Sequence, residues 1–165
     1  MAAALTDYTS YAEVRAVLGV SEEELSDATL SLSLYAESAQ IEMEEISSTL
    51  PADFAVVSAI TEAERTSIES KFFAAVGLFT AYAVAAQLGS SLPLFAPKSL
   101  TDGKAGFSRD ANAPFKETLK GVKTSYERFR SLLASRYETY KGASIAPTVL
   151  QFLSVISPST DPVVG

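Results

Sequence analysis

The chain has 165 residues, 47% of them hydrophobic, a net charge of −7, and no Cys, His or Trp. That length fits one domain with a core of its own. The missing residue types exclude disulfides, Ser-His or Cys-His machinery, and metal sites built on sulfur or imidazole, while leaving the redox compartment open.

The net charge conceals a division along the chain. Residues 1–70 carry 14 acidic side chains against only two basic ones, Arg15 and Arg65, a net of −12. Residues 71–165 carry 11 basic against six acidic, a net of +5. An acidic total argues against general nucleic-acid binding, although a basic half leaves room for a local patch. The same division also fits two solvated helix faces of opposite sign. The first residues show no basic region followed by an apolar run, so no secretory signal is expected. No charge occurs between Phe72 and Pro97. The helical part of that stretch, 72–88, is shorter than the roughly 20 residues of a membrane span and rich in alanine. A buried core helix in a soluble protein, with no membrane partner, is the expectation.

In chain order, Ser10-Tyr11-Ala12-Glu13 is a capping box, followed by Val14, Val17 and Leu18 and a stop at Gly19. Ser21-Glu22-Glu23-Glu24 is a second box that opens a single turn closing near Leu25. Asp27 is the expected N-cap of a helix over 28–46. Leu30, Leu32 and Leu34 alternate as in a strand, but Leu34, Ala39, Ile41 and Ile46 follow in helical order among glutamates. Ser47, Ser48 and Pro51 are expected to end it. Thr61-Glu62-Ala63-Glu64 is a third box, opening a long apolar helix over 62–89. Ile68, Phe72, Val76, Phe79, Ala83 and Ala86 mark its apolar spacing. Ala81, Ala85 and Gly89 form a small-residue row suited to close approach by another helix.

Residues 90–110 change character, with two prolines and then Asp102-Gly103 between short β-prone runs. A projecting loop or small hairpin is expected, with Asp102-Gly103 as the turn. Pro114 suits the first turn of a last helix over 114–141. Its stripe runs through Phe115, Leu119, Val122, Tyr126, Phe129, Leu133, Tyr137 and Tyr140, and Gly142 closes it. Lys116, Lys120, Lys123, Arg128, Arg130 and Arg136 occupy the other faces. The segment from Thr148 to Ile156 is apolar, β-prone and bracketed by prolines. It can lie on its own domain or dock on a partner by strand addition. The expected architecture is therefore all-α. It is a bundle of two long helices and shorter N-terminal ones in a domain over 1–142, with a loop or hairpin at 90–110 and an extended C-terminal arm over 143–165.

The chemistry left to the chain is carboxylate, lysine, tyrosine and serine. Glu42, Glu44 and Glu45, and Glu62, Glu64 and Glu69, form two acidic groups. A di-metal bundle site would want a Glu-x-x-His motif that this chain lacks. A carboxylate Mg²⁺ site is open in principle, but acids interspersed with apolar positions read as a solvated helix face. Gly103-Lys104-Ala105-Gly106 lacks the spacing of a phosphate loop. No catalytic residue, metal ligand or cofactor is expected.

Glu13-Val14-Arg15, Leu18-Gly19-Val20, Asp27, Leu34, Ala36-Glu37-Ser38 and Ile41-Glu42 resemble the N-terminal pattern of the head–tail connector (adaptor) proteins of tailed bacteriophages. The resemblance covers residues 13–42, and the later helices and the loop agree in layout only. The long arm over 143–165 and the alternating Leu30-Leu32-Leu34 depart from the shorter members. The resemblance implies a structural virion protein at the head–tail junction, made in the host cytoplasm. It implies a homo-oligomeric ring of about twelve copies with heterologous contacts. The partners would be a portal protein and a tail protein, with DNA passing through the channel unbound. Candidate contact residues are Leu94, Phe95, Leu100, Phe107 and Arg109 in the loop, and Val149, Leu150, Phe152, Leu153, Val155 and Ile156 in the arm. A cytoplasmic helical protein-binding module, dimeric, is the alternative.

Overall fold

The structure, a computed structural model, describes residues 4–89, 99–102, 105–108 and 116–145. Among these residues, six α-helices form an all-α body, preceded by a 3-10 turn at Leu5–Asp7. They are α1 (Tyr11–Leu18), α2 (Asp27–Leu30), α3 (Ser33–Ile46), α4 (Leu50–Ser58), α5 (Ser67–Leu88) and α6 (Lys116–Ile145).

The N-terminus follows its local signals. The Ser10 hydroxyl accepts from the Glu13 amide while the Glu13 carboxylate accepts from the Ser10 amide at 2.9 Å. This reciprocal bonding satisfies two of the helix's orphan donors. Gly19 ends α1 at φ +67°, a left-handed conformation that strains any residue bearing a Cβ. Gly19→Ala should cost about 1 kcal/mol, read as a lower denaturation midpoint. The Ser21 box closes one turn on Glu24, as its spacing predicts.

The helix expected over 28–46 is two helices. Ser26, not Asp27, caps α2, its hydroxyl accepting from the Thr29 amide. Asp27 is instead the first helical residue and pairs with Arg15. The Ser31 hydroxyl turns back onto the Ala28 carbonyl at 3.0 Å, competing with continuation of the helix. Leu32 is then extended and α3 starts afresh. The break buries Leu30 and leaves Leu32 and Leu34 outside, which explains their strand-like alternation.

Two further boundaries are corrected. Pro51 begins a helix rather than following one, since it lies in the first turn of α4, where a missing amide costs nothing. Leu50, Phe54 and Val57 of this unforeseen helix are buried. The Thr61–Glu64 motif forms only a turn, and α5 starts at Ser67 behind a second box of the same pattern, Thr66 with Glu69. Arg65 explains the delay. Its guanidinium donates to the Val57 and Ser58 carbonyls and lies 3.9 Å from the Phe73 ring centroid, tying the turn back onto α4.

Helices α5 and α6 run antiparallel and frame the core. Phe72 meets Tyr137 and Tyr140 at 5.5 and 5.0 Å between ring centroids, Phe79 meets Tyr126 at 5.9 Å, and Tyr82 meets Phe129 at 4.8 Å. Ala81, Ala85 and Gly89 are all buried. A Cβ on Gly89 would stand 2.3 Å from Leu119 Cδ2, so this glycine serves close approach, and its φ of −55° is ordinary. Helix α6 does not stop at Gly142 but continues to Ile145, so the expected 142/143 boundary falls inside a helix. Its expected start at Pro114, together with Phe115, lies outside the described residues. Helix α5 is long and apolar enough to cross a membrane by composition, and 56% of its most apolar window is buried within the protein.

Between the long helices, β1 (Ser99–Asp102) pairs antiparallel with β2 (Ala105–Ser108). Asp102 is the last paired residue, opposite Ala105, rather than half of the turn. The link is therefore Gly103-Lys104, one residue later than expected, and those two residues lie outside the described set.

Candidate partner-binding surface

The candidate contact residues fall into two groups. Leu100 and Phe107 are direct register partners across the two strands. Leu94, Phe95 and Arg109, and the arm residues Val149, Leu150, Phe152, Leu153, Val155 and Ile156, lie outside the described residues.

A surface not anticipated from the sequence lies on α3. Tyr35, Ala36, Ala39 and Met43 turn into the core, while Leu34 and Ile41 are 51% and 59% exposed and Leu32 just before the helix is 50% exposed. Leu34 and Ile41 are seven residues apart, two turns along one face. Exposed Glu37 and Glu44 rim that face, with Gln40 donating to Glu44 at 2.9 Å. The signal in the sequence was an excess: α3 carries more large apolar residues than one buried stripe requires. Val56 on α4 and Leu78 on α5 are exposed as well.

Beside this face the acidic and basic halves of the chain meet each other. Glu42 accepts from the Tyr126 hydroxyl at 2.7 Å, and Glu45 pairs with Arg130 at 3.0 Å. Asp53 accepts from the Tyr137 hydroxyl at 2.5 Å and from Lys141 Nζ at 3.1 Å, and Thr49 shares a hydrogen bond with the same tyrosine. The contacts ascend together, so α3 and α4 run in the direction of α6. Part of the charge division is thus used within the chain. Lys116, Lys120 and Lys123 on the outer side of α6 are exposed.

This seam has titration consequences. Burial alone would raise the Asp53 carboxyl, but hydrogen bonds from Tyr137, Lys141 and Thr49 outweigh it and hold the group below its ordinary value. Burial, then the hydrogen bond to Glu42, push the Tyr126 phenol up to about 12. A phenol raised above its unfolded value of about 10 stabilises the fold fully below pH 10, and loses that contribution as pH rises toward 12. The wild type should therefore lose more stability than Tyr126→Phe across that alkaline window, in denaturant titrations compared pH by pH.

Among the described residues no cluster of acidic side chains is placed to hold a metal ion. An open cleft of 570 Å³ lies between the N-terminal turn and α5, lined by Tyr8, Thr9, Phe73, Gly77 and Leu78 among others. The Asp53–Tyr137–Lys141 cluster fastens α4 to α6. No family model, curated protein or solved structure matches the chain. Fold and surface together define an all-α helical protein with a small β-hairpin and an outward-facing apolar helix face.

Proposed function

We propose that the protein is a structural subunit of a bacteriophage head–tail connector. Identical copies form a ring that joins the portal to the tail and leaves a channel for DNA, and the subunit works by shape and contact. The observation that carries this reading is the apolar face of α3. Leu34 and Ile41 belong to the stretch that resembles the connector family, and they are exposed, as residues that contact a neighbour must be. Within the same stretch Val14, Leu18 and Ala36 are core residues, and Arg15 holds the connection before α2 by donating to the Leu25 carbonyl and pairing with Asp27. That unit presents α3 on a stable base. Rings are closed by heterologous contacts, in which one surface meets a different surface of the next copy.

The test is native mass and particle imaging of the purified chain, alone and with a portal protein. Rings with rotational symmetry support the reading. A monomer or dimer at every concentration, indifferent to portal protein, overturns it in favour of a dimeric binding module.

A further inference from the structure

We propose that the apolar segment Thr148–Ile156 of one copy docks on the α3 face of a second copy, so that neighbouring subunits are joined by an exchanged C-terminal arm. This inference rests on the ring reading, of which it names the contact. The acceptor is Leu32, Leu34 and Ile41, exposed to 50–59%, with Leu34 and Ile41 two turns apart on one face of α3 and Leu32 at its N-cap. The donor is the apolar run of the arm, and from Gly142 to Thr160 the chain has no charge at all. An uncharged segment meets no repulsion from Glu37 and Glu44 at the rim of that face.

Reach decides between the same copy and another. Ile41 lies level with Tyr126, because Glu42 accepts from the Tyr126 hydroxyl. From Tyr126 to the end of α6 at Ile145, a helix rising about 1.5 Å per residue covers about 29 Å. Leu34 lies two turns further back, about 40 Å from that end. Four extended residues span at most about 14 Å, so Val149 falls far short of Ile41 on its own copy. Even Ile156, fully stretched, reaches at most about 40 Å. On its own copy only Leu153 to Ile156 come level with Ile41, and only at full stretch, so Thr148 to Phe152, the larger part of the apolar run, cannot lie on that face. A neighbouring copy removes the limit, because its α3 can stand beside the end of α6.

The absence of cysteine makes the test clean. The full chain carrying Ile41→Cys and Leu153→Cys together is oxidised mildly and separated on a denaturing gel without reductant. Arm exchange predicts a ladder of covalent oligomers, while the control pair Val56→Cys with Leu153→Cys, equally exposed on α4, gives none. A fast-migrating cyclised monomer would overturn the proposal by placing the arm on its own copy. Absence of any disulfide between the two introduced thiols would overturn it too, and the ring reading is then judged separately by the native mass and symmetry of the unoxidised protein. A ladder from particles that lack rotational symmetry would uphold arm exchange and overturn the ring.

Discussion

Phe72→Ala should destabilise the protein by about 3–5 kcal/mol, the range for removing a large aromatic side chain from a close-packed core. Phe72 is fully buried and joins three helices. Its ring stands edge-on to Phe54 of α4 at 6.3 Å, and against Tyr137 and Tyr140 of α6. Truncation removes the apolar area and the aromatic contacts together, and leaves a cavity lined by rings too stiff to fill it. Since domains are typically stable by about 5–15 kcal/mol, a loss of this size approaches global unfolding. The measurement is a denaturant midpoint, with an unchanged slope showing that the native state is otherwise intact. Phe72→Leu should recover most of the loss.

Asp53→Ala should cost about 2–3 kcal/mol, because it removes an ionised acceptor of two charge-assisted or short hydrogen bonds at a half-buried position. The Tyr137 hydroxyl keeps Thr49 as a partner, so the penalty stops short of that for an orphaned buried group. The effect is pH-dependent with a definite sign. The Asp53 carboxyl is held below its ordinary value in the folded protein. Its contribution is complete above the unfolded value of about 3.9 and disappears as pH falls through the lower folded value. Wild type and Asp53→Ala should therefore converge in stability on acidification. Glu13 and Glu69, whose carboxyls are lowered by their capping bonds to Ser10 and Thr66, titrate in both proteins and cancel in the difference. A gap that stays constant from pH 7 to pH 2 would show that Asp53 acts through packing alone.

The helix boundaries show how far local reading extends. Ser10–Glu13 and Thr61–Glu64 are the same motif, but only the first forms the reciprocal amide bonds of a capping box. At the second, the Thr61 hydroxyl donates to the Glu64 carboxylate and the Glu64 amide to the Thr61 carbonyl. One opens a helix and the other only a turn, because Arg65 draws the second back onto α4 and Phe73. Helix α4 escaped notice because Pro51 reads equally as a stop or as a first-turn residue, and nothing local separates the two. The hairpin was legible from its glycine and β-prone flanks, but its register shifted by one residue, since Asp102 pairs rather than turns.

Spacing along the chain was enough for what depends on neighbours in sequence: an all-α body, two long helices and the α6 stripe, with Val122, Leu133 and Tyr137 buried within it. Periodicity places residues on a common face, but it does not say which of two such faces finds cover. Tertiary structure alone decided which of the two apolar faces of α3 is covered. Tyr35, Ala36, Ala39 and Met43 are claimed by the core, and Leu34 and Ile41 are left to solvent. It also decided that Glu42, Glu45 and Asp53 meet Tyr126, Arg130 and Lys141 across more than 80 positions of sequence. A charge count along the chain records how many acids and bases there are. Only packing determines which of them are brought within a few ångströms of one another, where their attraction acts.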